Sequence, residues 1–469
     1  MAAEDTAETS SEPASEPERL GNARWQTLIH RGSHVVCVVS VVLAVIAADR
    51  YQRTQASVDV PRSGAFPLLL LAVVTCLLAL VVVLVRPERG AFRPLVATTV
   101  TWTMVLALAL AVVWSQIDRA VRDVESAPGL QVPMLTQTDV DAFLSAHMTS
   151  SDGGSSAPYR IPTGVLLESI EFLTPNNVRV NGYVWQKWPP GIPADVTRGF
   201  ELPEAIDMAD PGDPAYDITE ADGTELIGWR IQTTLRQDFD YHRYPFDRQD
   251  VWLRLWARDF GRRVVLVPDF ASYPTLDPAA LPGLDQQFVY GGWTPEQAHF
   301  SYGTTRYDAT LGYAAARTAS VYPELYFNAR LKRDFLEPFL DYVTFALAVA
   351  LLLFGVLVLT TKDEMRTSRF GLSTFGVLGT AGSLFFAVIL RESQLRNTIG
   401  PDQIVYLETL PVLLNLAILL VALNAILLAA PIKRRFALLE YRNNLLPTLL
   451  YWPMLLGGLL AVTLVVFYQ

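Results

Sequence analysis

The densest group of chemically capable side chains is a run of carboxylates. Residues 201–225 hold nine acids and neither Lys nor Arg. Oxygen ligands of this kind suit a hard cation such as Ca²⁺, and a long loop can fold around one. The candidate ligands are Asp207, Asp210, Asp213 and Asp217, with Ca²⁺ as a modulator; the spacing matches no known calcium loop, and a solvated acidic loop is the other reading. The five histidines, His30, His34, His147, His242 and His299, show no metal spacing. No nucleophile or phosphate-loop motif is present, so neither an enzymatic activity nor a cofactor is expected. A second pattern lies near the C-terminus. Ser373, Gly376, Thr380 and Ser383 recur at helical spacing and are small and mostly polar, as a water-filled ion path requires. The same spacing also suits a tight helix-packing seam.

These residues need elements to position them. Of the 469 residues 51% are apolar, and they gather into seven runs, at 33–48, 65–85, 95–114, 335–360, 370–390, 404–430 and 446–468. A bilayer crossing needs about 20 apolar residues, so the chain reads as a multi-pass membrane protein whose first run is the shortest. Residues 2–17 have the composition of a disordered tail, and no cleavable signal peptide is evident. Arg and Lys favour the loops before the first run and after the second, fourth and sixth, which puts the N-terminus inside. Residues 117–333 and Gln469 then lie outside. Both cysteines, Cys37 and Cys76, fall within apolar runs, so the outer segment carries no disulfide. Only four of the 37 basic residues are lysines, and with the abundance of Ala, Val and Leu this points to a bacterial source. The bacterial inner membrane is the expected location.

The formal charge of −10 comes almost wholly from residues 117–333, with 29 acids against 19 bases. An acidic surface argues against nucleic acid as a partner and draws cations. That segment opens with a short helix near 138–148 and a Gly/Ser linker at 150–156. Strands follow at 165–172, 178–188, 227–235, 251–255, 264–267, 287–290 and 325–331. The first two flank Thr174-Pro175-Asn176-Asn177, a hairpin turn sequence. Many short strands without intervening helices suggest a β-sandwich. In YHRYPFDRQDVWLRLW, Tyr241 to Trp256, a tight turn precedes an alternating strand.

The wording of that turn, Tyr244-Pro245-Phe246-Asp247-x-Gln, resembles the signature of pentameric ligand-gated ion channels, the Cys-loop receptor superfamily of bacterial type. Trp188, Trp293 in GGW, and YPELYFNARLKR ending at Arg333 resemble further landmarks in the family's order. Four apolar runs then follow, with Pro338 early in the first. The family's paired cysteines would fall at Gln237 and Val251, and their absence is normal for bacterial members. Pro189-Pro190 depart from the pattern after Trp188, and the three N-terminal helices lie outside the resemblance. Residues 58–80 faintly resemble the small membrane subunit of tripartite tricarboxylate transporters.

The resemblance implies a homopentamer embedded in the lipid bilayer, and together with the tail composition and the apolar runs it divides the chain into four expected parts. Residues 1–24 are a cytoplasmic tail, 25–115 a three-helix membrane unit, 116–333 an outer β-sandwich, and 334–469 a four-helix pore domain. A small-molecule or ion ligand would bind beside Tyr183, with Trp293, Tyr307 and Tyr313 as further candidates. Asp247 would pair with Arg333, and the turns carrying Pro175, Asn176, Tyr244, Pro245 and Phe246 would press on a loop at 391–402 to couple binding to gating. Permeating ions would pass Ser373, Gly376, Leu378, Thr380 and Ser383. At the pore mouth two registers stay open: Arg369 with Leu378 resembles anion-selective members, whereas a count from Arg333 puts Glu364 there and favours cations. A non-conducting sensor or accessory subunit, paired with transporter subunits through the N-terminal helices, is the alternative.

Overall fold

The structure is a computed structural model, and it describes residues 31, 33–48, 65–85, 92–122, 131–147, 158–207, 211–259, 264–287, 291–305, 322–361, 373–399, 405–429 and 444–468. Among these, six helices are long and apolar enough to cross a membrane, and ten strands form two sheets. The chain is a multi-pass membrane protein of β + α type. The long helices are α2 (Ala65–Val85), α3 (Phe92–Arg122), α5 (Leu336–Leu359), α6 (Thr374–Ile399), α7 (Thr409–Ala429) and α8 (Leu445–Tyr468). The expected seventh crossing, α1 (Ser33–Ala48), is helical but falls in a shorter class. At 1.5 Å per residue it reaches only about 24 Å, less than a hydrocarbon core of about 30 Å.

One sheet runs β1 (Val132–Met134), β9 (Trp293–Thr305), β10 (Tyr322–Arg333), β7 (Arg248–Ala257) and β4 (Phe200–Glu201). The other runs β5 (Tyr216–Thr219), β6 (Glu225–Arg236), β3 (Asn177–Trp188), β2 (Tyr159–Thr174) and β8 (Val264–Pro268). Pairing is antiparallel except between β2 and β8. Strand alternation explains the faces: along β3, Val178, Val180, Val184 and Trp188 are buried while Arg179, Asn181, Tyr183 and Lys187 are half-exposed. Along β7 the buried set is Gln249, Val251, Leu253 and Leu255. The two sheets are tied in the interior where Tyr302 Oη of β9 donates to Leu266 O of β8 at 2.7 Å. A helix at Gln137–His147, α4, lies near the expected position, and the β2–β3 hairpin turns at Thr174–Asn177 as expected. Residues 150–156 and 288–290, assigned above to a linker and a strand, lie outside the described residues.

By its contacts the chain divides into two compact units. One holds both sheets, α4, the start of α5, and the end of α6 with the residues up to Glu408. The other holds α1 to α3, α7, α8 and the remainder of α5 and α6. Within this helical unit the N-terminal helices are not set apart, because α8 packs along α3 as well as α7. Leu110, Val113 and Ile117 bury one stripe of α3, and Gly457 lets α8 approach Leu106. Trp102 Nε1 donates to Leu78 O at 3.0 Å and ties α3 to α2.

The buried polar groups of this unit are concentrated at Asn444, just before α8. Its Nδ2 donates to Leu357 O and Thr360 O at 3.1 and 3.3 Å, satisfying carbonyls at the C-terminal end of α5. Its Oδ1 accepts from Asn424 Nδ2 of α7 at 2.9 Å, so one amide ties three helices. Asn444 holds φ at +72°, a left-handed conformation that Asn tolerates better than most residues. Asn444→Ala is expected to cost about 2 kcal/mol, from lost buried hydrogen bonds plus backbone strain. Asn444→Gly removes the bonds but not the conformation, so its unfolding midpoint in detergent is expected to lie above that of Asn444→Ala; the reverse order would refute this account.

Candidate functional site

The site is built at the end of β10, where Arg333 meets the turn before β7. The turn is closed by backbone bonds from Tyr244 N to Tyr241 O (2.9 Å) and from Phe246 N to Arg243 O (2.8 Å), with a cis peptide at Tyr244–Pro245. It delivers Asp247 into the interior with a side chain only 1% exposed. Arg333 Nε and Nη2 donate to the two Asp247 oxygens at 2.7 and 3.0 Å, a bidentate pair. Gln249 Nε2 donates to Asp247 Oδ2 and to Asp240 O, both at 2.8 Å.

Around the guanidinium stand three rings. Its carbon lies 4.1 Å from the Trp293 ring centre, 4.8 Å from Tyr244 and 5.9 Å from Tyr241. Ring faces attract cations most strongly where water is excluded. Burial pulls the Arg333 pKa down, but the Asp247 carboxylate outweighs it and the net shift is upward. Burial likewise raises the Tyr241 and Tyr244 phenols, against the opposing pull of Arg333. The pair expected from the sequence therefore forms. Trp293, a candidate ligand residue, packs on Arg333 and on Phe172 of β2, 4.3 Å between ring centres.

The turn is also anchored to the segments that lead into helices. Phe246 meets Phe335 at 4.9 Å and Phe339 of α5 at 5.4 Å, and Tyr406 at 6.3 Å. Tyr406 N donates to His242 O at 2.9 Å. Tyr241 Oη donates to Pro175 O at 3.0 Å, and Gln237 N to Asn176 O at 2.9 Å, which binds the β2–β3 hairpin to the same centre. Residues 391–402 were expected to form a loop, but α6 continues to Ile399. The reason is local: Arg391, Glu392, Gln394 and Arg396 are good helix formers, and Leu395 and Ile399 extend the buried stripe of Val377, Ala381 and Val388. Arg391 pairs with Asp341 of α5 and covers the Tyr342 ring at 4.4 Å, and Arg396 Nε reaches Glu408 at 3.0 Å.

Gln237 is a residue whose part the sequence did not reveal. Its side chain is hydrogen-bonded to both O and N of Trp252, closing the loop that carries the turn. Val251, its expected counterpart, is fully buried one residue away.

Tyr183 lies on the outer face of β3 with Arg230 of β6 5.8 Å from its ring centre. Beside it opens a polar cleft of about 460 Å³, lined by Glu168, Asn181, Arg230, Gln232 and Asp285 among others. Tyr307 and Tyr313 lie outside the described residues, as do Asp210, Glu364 and Arg369.

Of the described acids of 201–225, Asp213 and Asp217 are exposed, and others have partners of their own. Asp207 Oδ2 accepts from Thr234 Oγ1 at 3.0 Å, Asp217 sits in β5, and Glu225 meets Arg198 at 3.2 Å. Among the described residues no three His, Cys, Asp or Glu side chains gather as a metal site.

The expected pore residues spread along α6. Ser373 Oγ accepts from Gly376 N, while Thr380 and Ser383 donate back to Gly376 O and Gly379 O. Ser373, Leu378 and Ser383 are exposed in the single chain and Gly376 and Thr380 half-buried, and the open face of α6 also carries the bulky Phe375 and Phe386.

No protein-family model matches this chain, and a search of curated proteins returns no match.

Removing one partner of a buried pair strands the other charge, so Asp247→Ala is expected to destabilise the sheet unit by about 3–5 kcal/mol, read by denaturant unfolding. A loss under about 1 kcal/mol, the range of exposed pairs, would show that Arg333 is effectively solvated. A second carboxylate offers a test by pH. Arg254 is shared by Glu204 and by Glu324, which also accepts from Trp256 Nε1 and Tyr326 Oη. Burial raises the Glu204 carboxyl, and Arg254 only partly offsets it. Its protonated form favours the fold, so that stability is complete below the ordinary value of about 4.3 and fades as pH rises through the higher folded value. The midpoint of Glu204→Gln minus that of wild type is thus expected to be more positive at about pH 7 than at about pH 4. A difference independent of pH would count against it.

Proposed function

We propose that five copies of this chain assemble in a bacterial inner membrane as a ligand-gated-type ion channel. In this reading the two sheets form an outer sandwich and α6, second of the last four long helices, lines the pore. The observation that carries it is the Tyr244–Asp247 turn. Its wording resembles the family signature; its Asp247 holds Arg333 in a bidentate pair, and its Phe246 packs against Phe335, Phe339 and Tyr406. A turn gripped at once by the last strand, the start of α5 and the approach to α7 can convert a shift of the sheets into a shift of helices. In this reading the pore is lined by Ser373, Gly376, Leu378, Thr380 and Ser383, of which Ser373, Leu378 and Ser383 are exposed in the single chain. In the same reading the ligand binds beside Tyr183, and Ca²⁺ has a modulatory role on the acidic outer surface.

The test is current through purified protein in planar bilayers under asymmetric KCl, with outer pH and Ca²⁺ varied. Unitary currents are expected, and the sign of the reversal potential chooses between the Arg369 and Glu364 registers. Ser373→Cys or Thr380→Cys, with the two native cysteines replaced by serine, is expected to make the current sensitive to block by a water-soluble thiol reagent. Silence under all conditions, from protein shown to be pentameric, would replace this reading with that of a non-conducting sensor or transporter accessory subunit.

A further inference from the structure

The only two cysteines of the 469-residue chain, Cys37 and Cys76, meet in the helical unit with their sulfurs 3.9 Å apart. Cys37 lies on α1 and Cys76 on α2, and both are half-buried. Helical spacing explains the encounter. On α1 the less exposed positions are Ser33, Cys37, Ser40, Ala44 and Ala47, and on α2 Ala72 and Ala79 are buried on the face that carries Cys76. Each thiol therefore sits in a seam of small side chains, while the bulky residues beside it, Val36 and Val38 on α1 and Leu77 on α2, point outwards. Small residues let two helices come close within a membrane, and here the two sulfurs meet between them.

We propose that Cys37 and Cys76 form a facing dithiol that a hydroperoxide converts to an intramolecular disulfide, covalently joining α1 to α2. A disulfide needs the sulfurs at about 2.05 Å, so the present separation must shrink by about 2 Å, which a change of cysteine rotamer on facing helices can supply. Cys37 is in the second turn of α1, about 6 Å along the axis from Ser33, and lies close to the helix end for an uncharged, water-soluble oxidant. The Cys37 thiol first loses its proton to water. Its sulfur then attacks one peroxide oxygen; the O–O bond breaks and hydroxide leaves, taking up a proton to become water. The resulting sulfenic acid is attacked by the Cys76 sulfur. The S–O bond breaks, the S–S bond forms, and the hydroxyl departs as water with the Cys76 proton. Two thiols and one hydrogen peroxide thus give one disulfide and two waters, and a dithiol reductant reverses the change. The product would hold the short α1 against α2 whatever the function of the whole chain, so the inference is independent of the channel reading.

Full-length protein in lipid nanodiscs is treated with hydrogen peroxide, blocked with N-ethylmaleimide and weighed intact by mass spectrometry. The expected product is two hydrogens lighter and takes up no maleimide, while dithiothreitol treatment restores uptake of two. Its unfolding midpoint is expected to rise by several degrees over the reduced form. Two maleimides after peroxide, oxygen atoms added at separate cysteines, or disulfide-linked dimers in place of the internal bridge would each overturn the proposal. A geometric control moves the thiol one position around α1: Cys37→Ser with Val38→Cys. That variant is expected to keep both thiols free, and equally efficient bridging would show that mobility, not the observed seam, brings the sulfurs together.

Discussion

A guanidinium out of water must be compensated where it stands. At the end of β10 the compensation for Arg333 is one carboxylate in bidentate contact and three aromatic rings. The effective penalty for burying each ion is several kcal/mol, and only close geometry offsets it. That constraint dictates much around it. Gln249 must occupy the free lone pair of Asp247, Tyr241 must reach Pro175, and Trp293 must lie flat between Arg333 and Phe172. The hairpin, the turn and the last strand are fixed to one another by the need to keep a single charge satisfied.

Much of this was legible in the sequence because it rests on local pattern. The alternation in β3, β6 and β7 follows from period-two burial, and the hairpin from Thr174-Pro175-Asn176-Asn177. The Asp247–Arg333 pair was accessible only through the resemblance of the turn, since 86 residues separate the partners. β9 was less visible: Pro295, Glu296, Gln297 and His299 interrupt its apolar residues, and Ala298, Phe300 and Tyr302 are buried by pairing with β10. Tertiary context overrides propensity in such a strand. The end of α6 was misjudged for the opposite reason. Hydropathy falls after Leu390, yet helix propensity does not, and the buried stripe runs on to Leu395 and Ile399.

The acidic run shows why composition can mislead about chemistry. Nine neighbouring carboxylates invite a cation, but several have separate partners of their own. Glu204 goes to Arg254, Asp207 to Thr234, Asp222 to the backbone of Thr224, and Glu225 to Arg198. Described parts of the segment are fastened to the sheets, with Ala205 bridged to Leu235 and β5 laid along β6. Its charge is distributed over hydrogen bonds that hold a long connection in place.

The packing of α3 on α8 joins one of the first helices of the chain to the last. During synthesis α3 leaves the ribosome early, whereas its partner emerges only after both sheets and three further long helices have been made. Until then the part of α3 that meets α8, Leu106 included, faces lipid or a substitute neighbour. A chain that has not yet made residues 445–468 lacks the helix on which α3 packs, and it presents a membrane face that quality-control proteases can recognise as unfinished.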